Sequence, residues 1–329
     1  MIAVVHLVWG PFGPGALRGF LDSYRRHPPG CDHELVVLFN GVDRGQLDEL
    51  RGELNGVEHT AFELPQPVQD LAAYAWAAEH LSHERLCFLN SHCRALAGDW
   101  LAKLDSALDE PRVGLAGATG SWASFRSAVL NGLGLPNPYQ HVREPPRALR
   151  RELWCEIERE LEQAEPSRAA AGPRDPRQHR LLNRVKSARE LPEHLLLFPG
   201  FPAHHLRTNA FIAERATFTS LSTPRLTRKM DALVLESGRR SYTRQIHARG
   251  LRTLVVARDG RTFDHPQWPA SRTFWQARQE GLLMADNRTA VYDSGGLERR
   301  TLLSARAWGS LAEPLAPAAV PAAAAGNLP

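Results

Sequence analysis

The sequence predicts an α/β fold: a Rossmann-type, mixed but mainly parallel sheet flanked by helices, with a helical or loop insertion and a disordered C-terminal tail. Three observations predict it. Residues 2–9 form a near-continuous apolar run, typical of a parallel strand covered on both faces. Similar runs alternate with amphipathic segments up to residue 118, as in sheets built with right-handed crossovers. Polar residues end several of these runs abruptly.

The first part of the chain is expected to hold five strands with helices between them. Residues 10–15 predict a plain turn from strand to helix, because their glycine order does not match the dinucleotide-binding fingerprint. Pro11 and Pro14 also lack the backbone N–H groups that a phosphate loop donates. Asp99 is expected to cap the fourth helix. The strands are predicted at 2–9, 34–39, 57–62, 85–89 and 113–118, and the helices around 17–24, 47–54, 71–78 and 100–108.

The second part of the chain is less regular. Residues 136–200 are rich in proline and charge and are interpreted as an insertion or subdomain of a single domain spanning 1–312. Residues 313–329 are rich in alanine and proline, which indicates a disordered tail. Smaller features are predicted as a helix at 147–163, a mobile loop at 168–176, regular structure from 209, a helix at 239–249, a strand at 251–257 and a helix at 271–283.

Composition excludes several classes of protein. The 329 residues carry 40 Lys and Arg against 36 Asp and Glu, a net charge of +4. So small a surplus fits an anionic small ligand, and no basic helix or RNA-binding signature indicates nucleic acid. No apolar run is long enough to span a bilayer, and the start does not resemble a signal peptide. The four scattered cysteines predict reduced thiols in a cytoplasmic protein, with peripheral membrane contact left open.

The polar residues that follow the fourth predicted strand are the first candidate site. Asn90 and His92 are two residues apart, so on an extended backbone both side chains would leave on the same side. Ligands of parallel α/β sheets bind beyond the carboxyl ends of the strands. An amide and an imidazole there could face a divalent ion or a diphosphate. The alternative is that His92 is a partly buried loop histidine.

Two further segments carry polar groups suited to chemistry. Glu236 precedes a Ser-Gly pair and an arginine pair at a predicted helix start, where the helix dipole and the arginines would keep it ionised. An ionised carboxylate can accept a proton from a hydroxyl nucleophile. A capping carboxylate in a solvated ion pair is the alternative. Arg207 could clamp a phosphate, and Asn209 could bond a sugar or phosphate oxygen.

In their order, these features resemble a GT-A glycosyltransferase of the family 2 type. The resemblance covers residues 2 to about 286 and is weakest across 136–200. It implies a nucleotide-sugar domain with a metal-binding D-x-D motif after the fourth strand, and an acidic catalytic base ahead of a later helix that ends in glycine. The segments that carry it are VVLFNG at 36–41, FLNSH at 88–92, residues 100–120, LESG at 235–238 and residues 241–250.

The resemblance implies roles for individual residues. Asn40 falls where the family has an aspartate near the nucleoside base, and Glu236 falls on the catalytic acidic position. Asn90-Ser91-His92 falls on the D-x-D, which gives His92 the place of a metal-binding carboxylate. A divalent cation, Mn²⁺ or Mg²⁺, is the implied cofactor. Histidine can bind Mn²⁺ but brings no negative charge, and Mg²⁺ prefers oxygen ligands.

The expected function is hexosyl transfer from a nucleotide-diphosphate sugar to an acceptor hydroxyl, with inversion and with Glu236 as general base. The expected partners are that donor and a saccharide or other hydroxyl acceptor. A catalytically degenerate nucleotide-sugar-binding protein of the same fold is the alternative. A nucleotidyltransferase ranks last, because the chain has no lysine before Lys103. The donor-binding candidates are Asn40, Asp70, Asn90, Arg207, Asn209 and Arg240, and the metal candidate is His92.

Overall fold

A computed structural model describes residues 1–132, a few residues between 152 and 160, and residues 191–314. The helices and strands up to residue 132 are β1 Ile2–Trp9, α1 Gly13–Arg26, β2 His33–Asn40, α2 Arg44–Glu53, β3 Thr60–Glu63, α3 Asp70–His80, β4 Arg85–Leu89, β5 Arg94–Ala95, α4 Trp100–Leu108, β6 Val113–Gly117, β7 Gly120–Ser121 and α5 Phe125–Gly132. Those after residue 200 are β8 His205–Leu206, β9 Ala210–Glu214, α6 Arg215–Thr219, α7 Lys229–Ser237, α8 Tyr242–Ala248, β10 Arg252–Val256, β11 Thr262–Asp264, β12 Met284–Ala285, α9 Asn287–Asp293 and α10 Leu297–Trp308.

Eight strands form the main sheet, in the order β11-β10-β6-β9-β4-β1-β2-β3. β1 runs parallel to both β2 and β4, and β2 is parallel to β3. β9 lies antiparallel between β4 and β6, and β11 is an antiparallel edge strand. The predicted mixed, mainly parallel sheet is confirmed.

The hydrophobic core lies on both faces of this sheet. Along β1, Val5 and Leu7 join one buried cluster while Val4 and Val8 join the other, as the alternation of side chains along a strand requires. Helices α3, α8 and α10 cover the first face, and α1, α2 and α4 cover the second. Burial on both faces explains why the central strands have unbroken apolar runs.

Several local expectations need correction. The strand predicted from residue 57 begins at Thr60, and the helix predicted from 239 begins at Tyr242. Asp99 does precede α4, but its backbone is left-handed, with φ of 58°, and its side chain makes no capping hydrogen bond. Helices α7, α9 and α10 are additions that the sequence pattern did not indicate.

The helix predicted at 271–283 is wrong. Arg272, Trp275, Ala277 and Gln279 all have positive φ, which a helix does not allow. Tertiary hydrogen bonds hold the irregular backbone: Gln279 Oε1 accepts from the Trp275 N–H, and the Phe274 carbonyl accepts from the Trp308 indole. Packing of the aromatic side chains therefore overrides the helical spacing.

Some expectations fall on residues outside the described ranges. These are most of the insertion at 136–200, including most of its helix and the whole of its loop, and the tail from residue 315. Within the ranges that are described, no helix is long and apolar enough to cross a membrane.

Candidate active site

The candidate site lies where β1, β2 and β4 end. Trp9 pairs with Asn40 at the last position of the β1–β2 register, and Asn90 follows the last residue of β4. The Asn90 N–H donates to the carbonyl of Asn209 at 2.8 Å, which brings the segment before β9 to the same edge. Carboxyl ends of parallel strands are where α/β sheets bind ligands.

Asn40 fixes the entry to α3. Its amide nitrogen donates to the Val68 carbonyl at 2.9 Å, and its Oδ1 accepts from the Val68 N–H at 3.0 Å. The side chain is only 1% exposed. Asn40 therefore positions the chain two residues before Asp70, the first residue of α3. The predicted contact between Asn40 and a nucleoside base stays a prediction.

The Asn90-Ser91-His92 segment is a turn, so the expected extended arrangement is wrong. Asn90 Oδ1 accepts from the His92 N–H at 3.1 Å and from the Cys93 thiol at 3.3 Å. Ser91 Oγ donates to the Leu7 carbonyl and accepts from the Trp9 N–H, which ties the end of β4 to β1. The His92 ring packs against Phe12, with the ring centroids 4.2 Å apart.

The sequence reasoning missed His6, which lies in the middle of β1. Its ring stacks on Phe20 at 3.8 Å, and neither ring nitrogen has a hydrogen-bond partner among the described residues. Burial, and secondarily the neighbouring His92, lowers the pKa of His6 to about 3. His6 is the one polar residue in the apolar run IAVVHLVW, and this could have drawn attention to it in the sequence.

The strand-end residues do not suit a divalent metal ion such as Mg²⁺. Asn90 Oδ1 and Ser91 Oγ already take part in internal hydrogen bonds, and His92 brings no negative charge. No group of three or more His, Cys, Asp or Glu within the described ranges is arranged to hold a metal ion. Mg²⁺ requires oxygen ligands and usually a carboxylate, and Asn90-Ser91-His92 has no carboxylate to offer.

Glu236 lies in the last turn of α7, and Thr208 holds its carboxylate. Glu236 Oε1 accepts from the Thr208 N–H at 3.0 Å and from the Thr208 hydroxyl at 3.1 Å. No residue in the described part of the chain hydrogen-bonds Oε2.

The structure places Glu236 inside α7 rather than directly ahead of a helix, and α8 begins only at Tyr242, so stabilisation of Glu236 by a helix N-terminus and by arginines stays a prediction. The C-terminal end of α7 carries partial negative charge, so its dipole does not favour a carboxylate there. Arg239 donates to the Leu196 carbonyl, and Arg240 is exposed. Thr208 supplies the donors that the sequence reasoning assigned to these groups.

One short segment joins Glu236 to the end of β4. Thr208 binds Glu236, and the next residue, Asn209, offers its carbonyl to the Asn90 N–H and the Cys93 thiol. The Asn209 side-chain oxygen accepts from the Thr119 hydroxyl at 2.9 Å. Thr208 and Asn209 thus link Glu236 to the end of β4, and a shared donor site for Glu236, Asn209 and Asn90 stays a prediction.

Arg207 is held in the protein interior. Its guanidinium pairs with Asp286 at 2.6 Å and lies 4.2 Å from the centroid of the Phe274 ring. Burial alone would raise the pKa of the Asp286 carboxyl, but the charge and hydrogen bond of Arg207 lower it overall. Because Asp286 already balances the charge of Arg207, clamping of a phosphate by Arg207 stays a prediction.

No protein-family description and no curated protein matches the sequence. The structure is similar to those of GT-A-type glycosyltransferases. The segment 1–349 of S. aureus TarS has 15% identity over 35% of this chain, with a TM-score of 0.28, and the match spans only 34% of that segment.

Two other similar structures are glycosyltransferases. The mannosyltransferase PcManGT from Pyrobaculum calidifontis, solved with GDP-Man and Mn²⁺, has 15% identity over 59% of this chain and 73% of its own, with a TM-score of 0.32. The galactosyltransferase LgtC, solved with donor and acceptor sugar analogs, has 11% identity over 41% of this chain and 52% of its own, with a TM-score of 0.29.

Proposed function

We propose that the protein is a glycosyltransferase that moves a hexosyl group from a nucleotide-diphosphate donor to an acceptor hydroxyl, with inversion. The observation that carries the proposal is the Glu236 carboxylate. Thr208 fixes one of its oxygens, and its other oxygen has no described hydrogen-bond donor. It lies beside the segment that also binds the end of β4. A positioned carboxylate at such an edge suits general-base chemistry.

In the proposed reaction, the oxygen of the acceptor hydroxyl attacks the anomeric carbon, and Glu236 Oε2 takes the proton of that hydroxyl. The bond between that carbon and the diphosphate oxygen breaks in the same displacement, and the nucleoside diphosphate leaves. Thr208 keeps the carboxylate in place by its two hydrogen bonds to Oε1. Fixed orientation of this kind lowers the barrier because the geometry is prepared before the reaction.

Donor binding is proposed at the ends of β2 and β4. Asn40 orders the loop that leads into α3, where we place the nucleoside. Asn90, Asn209 and His92 face the diphosphate in this proposal, since they surround the end of β4. Exposed Arg240 is the candidate to offset the negative charge of the leaving group, because Asp286 already pairs with Arg207.

Replacement of the proposed base tests the function. A donor-library screen with mass-spectrometric detection identifies the sugar and the acceptor first. We then expect Glu236→Gln to lower turnover by roughly 10²-fold or more, while calorimetry shows unchanged donor affinity. Glu298→Gln, an exposed acid at the start of α10, is the matched control and should keep full turnover. Wild-type turnover in Glu236→Gln would remove Glu236 from the mechanism.

A second candidate function is nucleotide-sugar binding without catalysis. It is favoured by the turn at Asn90-Ser91, whose side chains serve the protein's own hydrogen bonds rather than a metal. Calorimetric titration with UDP-, GDP- and dTDP-sugars, with and without Mn²⁺, together with a donor-hydrolysis assay, separates the two functions. Binding without any turnover supports the binding protein.

A further inference from the structure

Three histidine rings from separate elements contact one another near the segment that holds Glu236. His204 directly precedes β8, His247 lies on α8, and His265 directly follows β11. The ring centroids of His204 and His265 are 5.0 Å apart, and those of His247 and His265 are 5.1 Å apart. We call these three residues the histidine cluster. They are not arranged to hold a metal ion, so their contact needs another explanation.

Contacts with neighbouring residues fix the cluster in place. The Trp122 ring packs edge-on against His204 at 4.8 Å, and its indole N–H donates to the His265 carbonyl at 3.2 Å. His247 Nε2 hydrogen-bonds the Thr253 hydroxyl at 2.9 Å. His204 and His265 are half-buried, and no group among the described residues hydrogen-bonds their ring nitrogens. The cluster therefore presents imidazole nitrogens to solvent.

The charge around the cluster is positive. Arg244 lies one turn before His247 on α8, so the two side chains are neighbours on the helix surface. The Arg244 guanidinium is exposed and makes no hydrogen bond or ion pair with a described residue. The carboxylate of Asp264, the residue before His265, is already bound by Arg252 at 3.0 and 2.7 Å. An anion at the cluster would therefore meet positive charge that the described residues do not balance.

The rings of the cluster favour their neutral form. Burial, and after it the neighbouring His265, lowers the pKa of His204 to about 4. Burial and His265 also lower the pKa of His247, against the opposing charge of Asp264. The other groups that disfavour protonation of these rings are Arg244 and His205. An anion has the opposite effect, because a nearby negative charge favours the protonated imidazole. Binding of an anion should therefore be accompanied by uptake of protons.

One fixed segment joins the cluster to Glu236. Thr208, which holds the Glu236 carboxylate, comes four residues after His204, so their Cα atoms are at most about 14 Å apart. Between them, the Leu206 N–H donates to the Thr243 hydroxyl at 2.9 Å, which holds the segment against α8. A substrate that reaches Glu236 with one group can therefore reach the cluster with another.

We propose that the histidine cluster and Arg244 bind an anionic group of the acceptor, such as a phosphate or a carboxylate. The assignment to the acceptor rests on the proposed transferase function, whereas the anion site itself does not. Imidazole and guanidinium N–H groups donate charge-assisted hydrogen bonds to the oxygens of the anion. The acceptor hydroxyl then lies at Glu236 while its anionic group lies at the cluster. The acceptor class is therefore a saccharide or other hydroxyl compound that carries an acidic group.

Sulfate tests the anion site without any activity, because its charge does not change between pH 6 and pH 8. In NMR titrations of the histidine rings, we expect saturable shifts at His204 and His265, with several-fold tighter binding at pH 6 because protons are taken up. Arg244→Gln should weaken sulfate binding by roughly tenfold. Arg26→Gln, an exposed arginine of α1, is the matched control and should bind as wild type. Shifts that do not saturate, or that are unchanged in Arg244→Gln, overturn the inference.

Acceptor pairs that differ only by a phosphate group test the assignment to the acceptor. The phosphorylated member should have a KM roughly tenfold lower, and Arg244→Gln should erase this difference. UDP and GDP should leave the sulfate shifts unchanged, since their competition would assign the cluster to the donor and overturn the acceptor role. Equal KM values in an active wild-type enzyme would also overturn it. Saturable sulfate binding in a protein that transfers no sugar would overturn the proposed function instead and leave the anion site established.

Discussion

The imidazole of His6 lies under the candidate site, where burial favours the neutral form of the ring. Its pKa falls from 6.5 to about 3 because burial disfavours the charged ring, with a smaller contribution from His92. Between these two pH values the unfolded chain binds a proton that the folded protein does not. The stability contributed by neutral His6 is therefore complete above pH 6.5 and is lost as the pH falls toward 3.

Replacing His6 by phenylalanine should make the protein less sensitive to acid. Phenylalanine can keep the stacking on Phe20 but has no proton to gain. The free energy of unfolding falls between pH 7 and pH 5. We expect this fall to be about 2 kcal/mol smaller in His6→Phe than in wild type. Urea unfolding at both pH values measures this. His204, whose pKa burial lowers to about 4, is present in both proteins and cancels. Equal pH dependence of the two would contradict the prediction.

The buried ion pair between Arg207 and Asp286 supports the segment that holds Glu236. Asparagine at position 286 can still accept the Thr289 N–H at the start of α9, but it leaves the Arg207 charge unbalanced. We expect Asp286→Asn to lower the free energy of unfolding by about 3–5 kcal/mol, measured by chemical denaturation. Glu313→Gln removes an exposed pair with Arg272 and should cost at most about 1 kcal/mol. Similar losses in the two variants would show that the Arg207 pair contributes no more than a surface pair.

At the scale of elements, glycine residues allow the ends of β1 and β2 to come close together. A Cβ on Gly10 would lie 2.2 Å from the Gly41 carbonyl oxygen, which only a shift of backbone can relieve. Gly10→Ala should therefore cost about 1–3 kcal/mol of stability and weaken donor binding, because both strand ends border the site. In Gly15→Ala on α1 the added methyl meets nothing within 4 Å, so a gain of about 0.5–1 kcal/mol is expected. Thermal denaturation and donor calorimetry of the two variants check this, and equal behaviour would contradict it.

The elements that sequence predicts well are those whose signal is local. The apolar runs of β1, β2 and β4 require burial on both faces, and the structure confirms all three strands. Segment 271–283 has helical spacing, yet its conformation follows from contacts with residues such as Trp308, far along the chain. Glu236 lies two residues before Gly238, the C-cap of α7, and a glycine that follows an apolar run is a local helix-stop signal that the sequence reasoning missed.

At the scale of the whole molecule, topology brings the site together. Asn40, Asn90 and Asn209 are far apart in sequence but lie along one edge of the sheet, where β2 and β4 end and the antiparallel β9 begins. The partners of these residues could not be predicted. The bonds from Thr208 to Glu236 and from Asn40 to Val68 depend on how two loops cross that edge.

The charge of the whole chain bears on how a diphosphate is bound. The net charge is +4, and the end of β4 presents Asn90 and His92 where a metal site would need carboxylates. We therefore expect the affinity for UDP-, GDP- or dTDP-sugars, measured by calorimetry, to change by less than about tenfold (about 1.4 kcal/mol) on addition of Mn²⁺. The affinity should fall as salt screens the positive field.

The double variant Asn90→Asp, His92→Asp supplies two carboxylates and should acquire Mn²⁺ binding that calorimetry detects without donor. Loss of wild-type donor binding in EDTA would show that metal, rather than the protein's own charge, balances the diphosphate.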